Sequence, residues 1–291
     1  MKLSTSTFTT LYLLANTVTA SIPSKQGYDI VFSDDFNGAK GAPADHSKWK
    51  LRWNAPDPNN GEVQQYRNTT ANSHLSGDGQ LYILPTKEDG KWYSARLESW
   101  HASSCDKGKT MIFQSQIWVP DFNGHPKKHD GVWPAFWALG ETIRTGNPWP
   151  YCGEWDIMET SNRRGNLNNA VLHFASHLGC ANPRDCHQAS PSKDTPYEGG
   201  KYHTWSFKVD RTNSDWQAQS MTWYLDGQQI HQVFGRDTKG WDRWDYLASR
   251  KYFMVLNVAL GGGFGGAVSS STVSGYDNSM RVRYAAIYKS K

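Results

Sequence analysis

No long stretch of this chain sustains the apolar stripe of an amphipathic helix. Short runs rich in β-formers alternate with turn signals from end to end. Residues 29–32, 80–84, 111–119, 170–174, 204–209, 221–225, 253–260 and 280–288 read as strands. In Ser206-Phe207-Lys208-Val209-Asp210, Phe207 and Val209 share one side, as strand geometry requires. Gly77-Asp78-Gly79, Asp89-Gly90, Asn123-Gly124 and Asp226-Gly227 punctuate the runs, and 223–230 reads as a hairpin. Only 241–250 reads as a short helix. Many short strands must bury themselves sheet against sheet, so the pattern predicts an all-β sandwich or barrel.

Composition excludes several alternatives. Fourteen Trp, fourteen Tyr and eleven Phe are far more aromatic surface than a disordered chain carries. A net charge of +4, with Lys and Arg scattered, argues for neither nucleic acid nor a membrane surface as partner. The 291 residues could hold two average domains. No repeat, low-complexity tract or linker divides them, so residues 21–291 are expected to form one domain; a monomer is also expected.

The N-terminus predicts an address. Lys2, the apolar run 8–14 and Val18-Thr19-Ala20 form a secretory signal pattern with cleavage after Ala20, so residues 1–20 are expected to be removed and the protein to be extracellular. The four cysteines then suggest two disulfides. Cys180 and Cys186 enclose a short loop and are expected to pair, leaving Cys105 with Cys152. No C-x-x-C supports a zinc site. Asn68-Thr69-Thr70 is a glycosylation sequon.

The segment Gly153-Glu154-Trp155-Asp156-Ile157-Met158-Glu159-Thr160 carries the chemistry. On a strand, Glu154 and Asp156 point together, with Trp155 and Ile157 on the other side. A bulge at Ile157-Met158 returns Glu159 to the acidic face. Clustered carboxylates repel one another and raise at least one pKa. A retaining glycosidase needs such a pair roughly 5–5.5 Å apart, one carboxylate attacking and one acid donating to the leaving oxygen. The pattern therefore nominates Glu154 as nucleophile, Glu159 as acid/base, and Asp156 as the group that orients Glu154 and balances the proton. A solvated polar strand face and a hard-cation site remain the other readings of these acids.

Glu-x-Asp-x-x-Glu after Trp149-Pro150-x-Cys-Gly resembles the signature of glycoside hydrolase family 16, the laminarinase-like endo-β-glucanases. Phe32-Ser-Asp-Asp-Phe36, Tyr93-Ser-Ala-Arg-Leu-Glu-Ser99, Gly131-Val-Trp-Pro-Ala-Phe-Trp-Ala-Leu-Gly140, Leu172-His173, Tyr202-His-Thr-Trp205, Trp223-Tyr-Leu-Asp-Gly227 and Leu256-Asn-Val-Ala-Leu-Gly-Gly262 follow in the family's order. The resemblance implies a β-jelly-roll sandwich of two antiparallel sheets with a concave carbohydrate-binding cleft. It also implies retaining endo-hydrolysis of β-1,3-linked, or mixed β-1,3/1,4-linked, glucan. The extra residue Met158 resembles the bulged subgroup rather than the lichenase-like one. Arg283 stands near an Asp that in some members ligates calcium, and a guanidinium cannot coordinate a cation. No metal and no cofactor is expected. Phe264 stands where a Trp is common, and Trp155 should point into the core.

Pyranose rings present an apolar C–H face that aromatic side chains can floor. Trp133 and Trp137, four apart on one strand, are the expected platforms. Asn54, Glu62, Tyr66, Arg96 and His173 are the expected hydroxyl partners, with His173 also able to touch the acids. His177 and His187 are expected in loops, and 261–266 lacks the context of a nucleotide loop. Two other functions fit the same fold: a non-catalytic glucan-binding lectin, and an enzyme that cleaves another β-linked polymer such as β-1,3-galactan or transfers to sugar. Retention of all three acids separates enzyme from lectin.

Overall fold

The computed structural model describes residues 21–53, 60–177 and 179–291. The expected leader 1–20 and Asn54 lie outside the described residues. Two eight-stranded antiparallel sheets face each other. The first orders His187–Ala189, Leu167–Ala175, Glu154–Glu159, Val132–Gly140, Tyr252–Leu260, Arg96–Ser103 and Trp49–Leu51, with Lys193–Pro196 also paired to Leu167–Ala175. The second orders Gln228–Phe234, Ser220–Leu225, Tyr202–Asp210, Thr110–Trp118, Met280–Ser290, Leu81–Ile83 and Ser73–Leu75, with Tyr28–Asp34 against Met280–Ser290. This is the sandwich that the strand and turn pattern predicts.

Each expected strand is present, and the short helix is Trp241–Ser249. The hairpin turns on Asp226 (φ 50°) and Gly227 (φ 81°), the left-handed pair of a two-residue turn matched to strand twist. One arrangement was not foreseen. In a small third sheet, Gln64–Tyr66 runs parallel to Lys91–Ser94.

Inward-facing residues of both sheets form one core. Trp155 lies in it as expected, stacked on Tyr252 with ring centroids 3.6 Å apart and packed on Phe207 at 4.9 Å. Trp49, Trp205, Trp223 and Trp244 are also wholly buried. Three of these indoles find acceptors: Trp49 on Asp34, Trp223 on the Asp156 carbonyl and Trp244 on Gln219. Such pairing is what makes a buried Trp tolerable.

Cys180 and Cys186 are disulfide-bonded, as expected. Cys105 and Cys152 are not: both are free and buried. Cys105 belongs to the inter-sheet core, its sulfur 3.3 Å from the Lys109 carbonyl. Cys152 belongs to a separate apolar cluster with Leu139, Phe253 and Val255. Sequence order alone could not show that the two thiols occupy different clusters. Asn68 of the sequon is exposed. Among the described residues, no helix is long and apolar enough to cross a membrane.

Candidate active site

The acids owe their common face to an irregular register. Glu154, Asp156 and Glu159 pair with Leu139, Trp137 and Ala135, which alternate along the neighbouring strand and so share a face. Trp155 and Met158 pair with Ala138 and Phe136, leaving Ile157 as the extra residue of a bulge. Trp155, Ile157 and Met158 are all buried in the core. The three carboxyls therefore stand together on the opposite face.

Two residues that the sequence reading did not single out hold the bulge. The ladder to Leu167–Ala175 registers Glu154, Trp155 and Asp156 against His173, Leu172 and Val171, then lapses. The buried Asn168 side chain takes over, accepting from the Glu159 N–H at 2.8 Å and donating to the Ile157 carbonyl at 3.5 Å. From the other sheet, the Trp223 indole donates to the Asp156 carbonyl at 2.7 Å. Backbone groups that a bulge strands are thus paired, which fixes the aim of the acids.

The electrostatics match clustered acids. Burial, then the neighbouring Asp156 charge, pushes the Glu154 carboxyl up to about 8, while His173 and Arg96 pull the other way. Burial alone does the same to Asp156. Burial and Asp156 raise Glu159 to about 8, opposed by His173, the Trp133 N–H and Arg164. The cluster is accordingly held short of full ionisation at neutral pH.

The neighbouring side chains form a floor across the strands. Trp133 donates from Nε1 to Glu159 at 3.1 Å and its ring lies 5.2 Å from that of Phe264. Trp137, opposite Asp156, donates to Asn257 at 2.6 Å, and the Arg96 guanidinium lies 4.6 Å from its ring centre. Asn257 donates in turn to the Tyr66 hydroxyl at 3.0 Å, and that hydroxyl faces Glu62 at 3.4 Å. Arg96 is also paired with the buried Glu98 at 2.8 Å. Thus Trp137, Arg96, Tyr66 and Glu62 form one connected group, with Asn257 as the unforeseen link, while Trp133 meets Glu159 from the same strand as Trp137. Tyr66 is almost fully buried, so its role is to hold Asn257 more than to meet a ligand.

On the other flank, His173 stands opposite Glu154 with Nε2 3.2 Å from Asp156. Its Nδ1 meets His187 at 2.8 Å. His187 is not a loop residue, as expected from sequence, but lies on the edge strand His187–Ala189, stacked on Trp149 at 4.7 Å. His177 does lie outside the strands, in a bend ahead of the disulfide-closed loop, beside Cys180. Residues 261–266 include one helical turn, Gly262–Gly265.

Glu154, Asp156 and His173 place donor atoms within 4.8 Å of one another, a spacing that a cation could share. Glu159 lies outside that set, and its carboxylate is instead engaged by an indole N–H. His177, Cys180 and Cys186 are also close, but the disulfide removes the thiolates that a metal would need.

A carboxyl whose pKa rises on folding takes up a proton, so its contribution to stability falls as pH rises from the ordinary carboxyl range toward the folded value. Asp156, with an ordinary value of 3.8 and a folded value of about 8, costs stability across that window. Asp156→Asn is expected to raise the melting temperature by about 5 °C at pH 7, with little gain at pH 4. Thermal melts at the two pH values check this, and an equal gain at both would refute it.

A family model described as "XgeA-like, catalytic GH16 domain" matches residues 49–224, more than half of the chain. The Niallia circulans protein named Glucan endo-1,3-beta-glucosidase A1 is 26% identical, over 93% of this chain and 39% of its own length. The Clotting factor G alpha subunit of Tachypleus tridentatus is 26% identical, over 82% of this chain and 31% of its own. The chain thus spans well under half the length of these relatives. The crystal structure of endo-1,3-beta-glucanase from Streptomyces sioyaensis superposes with a TM-score of 0.80 at 26% identity, covering 94% of this chain and 100% of that one. With the family model spanning its acid strand and the jelly-roll shared with a solved glucanase, this chain belongs to glycoside hydrolase family 16.

Proposed function

We propose that the protein is a secreted, monomeric endo-hydrolase of β-1,3-linked glucan, including mixed-linkage chains, that retains anomeric configuration. The observation that carries this is the bulged strand with three carboxyls on one face, beside aromatic residues. The names of the relative and of the superposing structure, both β-1,3-glucan hydrolases, support the substrate. The leader pattern and the Cys180–Cys186 disulfide support export to an oxidising compartment.

In the first step Glu159 gives its proton to the glycosidic oxygen while the Glu154 carboxylate attacks the anomeric carbon. The C–O bond to the leaving sugar breaks and a glycosyl ester forms on Glu154. In the second step Glu159 takes a proton from water, whose oxygen attacks the same carbon and releases Glu154. Asp156, beside Glu154 and in contact with His173, holds the proton that lets Glu154 leave and return as a carboxylate. Burial keeps Glu159 protonated toward neutral pH, as the first step requires.

Digestion of laminarin, barley mixed-linkage glucan, β-1,3-galactan and xyloglucan, with product sizing and anomer detection by NMR, tests the reading. Oligosaccharides released from laminarin with the β-anomer formed first are expected. Release from galactan alone would replace the substrate, longer products than the donor would show transfer, and release from none would favour a lectin.

A further inference from the structure

An open pocket of about 330 Å³ lies beyond one end of three adjacent strands, lined by Asp130, Asn162, Arg163, Gly265, Gly266 and Ala267. Asp130 precedes Val132–Gly140, Asn162 follows Glu154–Glu159, and Gly265 follows Tyr252–Leu260. The register places these three strand ends together, since Val132 pairs with Leu260 and Ala135 with Glu159. The floor formed by His173, Asp156, Trp137, Asn257 and Arg96 crosses the strands. The pocket is instead displaced along them, past Trp133 and Phe264. A polymer laid across the floor would pass beside this pocket, not through it.

The pocket's chemistry suits a neutral polyhydroxyl group. Asp130 accepts from Asn162 with one carboxylate oxygen at 3.2 Å, and its other oxygen has no hydrogen-bond partner among the described residues. Arg163 is anchored by one nitrogen to the Gly263 carbonyl at 2.8 Å, which leaves further N–H groups for a ligand. One acceptor and one fork of donors complement a vicinal diol, and their opposite charges cancel, which disfavours an anion. Outside the lining, Trp133 packs its ring against Phe264, the residue before the pocket's Gly265, and donates to Glu159. Glycine keeps the other wall thin: a Cβ at Gly265 would stand 2.9 Å from the Gly131 carbonyl oxygen. The volume is near the lower bound of about 300 Å³ for small-ligand pockets, room for one sugar ring.

We infer that this pocket receives a single sugar carried as a side branch on the glucan chain, so that the preferred substrate is a branched β-glucan. The inference rests on the glucan reading above. Binding to the Glu154→Gln variant, measured by calorimetry, tests it with a linear β-1,3-glucan oligomer and with the same oligomer bearing one β-1,6-linked glucosyl branch at each internal unit in turn. One branched isomer is expected to bind ~10-fold more tightly than the linear oligomer. Adding Ala267→Trp, at an exposed position that fills the pocket from its rim, should erase that advantage and leave linear binding unchanged. Adding Arg163→Ala instead should reduce the advantage severalfold. Equal binding of all branched and linear oligomers, or an advantage that survives Ala267→Trp, overturns the branch pocket. Failure of the linear oligomer to bind overturns the glucan reading instead.

Discussion

Glu154→Gln is expected to lower turnover of laminarin by at least about 10⁴-fold while leaving affinity for glucan within a few-fold of the parent. The substitution keeps the shape and most hydrogen-bonding capacity of the side chain but removes the carboxylate that forms the glycosyl ester. Glu154 is at the end of its strand nearest His173, partly open to the cleft, and its neighbours Trp155 and Asp156 are fixed by core packing and by the Trp223 indole. His173 and Arg96 favour a negative charge there, but burial and the Asp156 charge outweigh them. Removing one charge from a group of buried acids should raise the melting temperature, which separates lost chemistry from lost folding. Turnover and affinity measured on the same preparation check the split. Substantial remaining turnover would remove Glu154 as nucleophile, and a parallel loss of binding and melting temperature would point to a structural role.

The parts of this site that the sequence made legible are those governed by local periodicity. Two-residue alternation put Glu154 and Asp156 on one face and Trp155 on the other, and the single extra residue at Ile157-Met158 was enough to place Glu159. The turn residues likewise marked the strand ends, because Asp226-Gly227 and its counterparts act through their own backbone conformation. What stayed hidden depends on partners distant in the chain. Asn168 and Asn169 look alike in sequence; only Asn168 faces the lapse in the ladder beside Ile157, and that follows from the register of another strand. Trp223 could be seen as a core residue, but not as the donor to the Asp156 carbonyl 67 residues earlier. Asn257 did leave a signal: it is the one amide in the otherwise apolar, wholly buried strand Tyr252–Leu260, where an unpartnered polar group would be costly. His187 reaches His173 because the disulfide loop folds the edge strand back along Leu167–Ala175, a closure that residue spacing does not reveal. The same limitation explains the cysteines. Proximity in sequence favoured Cys180 with Cys186, whereas the remaining pair was assigned by elimination and lies in two separate clusters.

Glu159→Ala should behave differently from Glu154→Gln, because it removes a proton carrier and leaves the nucleophile. On glucan, whose leaving sugar needs protonation, a loss of about 10²–10⁴-fold is expected. An aryl glycoside with an acidic leaving group does not need that proton, so its first step should proceed and the glycosyl ester on Glu154 should accumulate. Water then lacks its base. Azide, already a nucleophile, needs none, and the missing carboxylate leaves it space. The Trp133 N–H that pointed at Glu159 from 3.1 Å would face the entering anion, and Arg164 adds a favourable charge. Added azide should therefore restore turnover of the aryl glycoside and yield a β-glycosyl azide, with no restoration on glucan. In the parent, the rate on glucan should fall on the alkaline side as the raised Glu159 acid ionises near pH 8. With the aryl glycoside, the variant should lose that fall, since no acid is used. Azide rescue and pH profiles measured together bind the assignment to a proton transfer at this position. An unresponsive variant with an unchanged alkaline limb would move the acid/base role to another residue of the cluster.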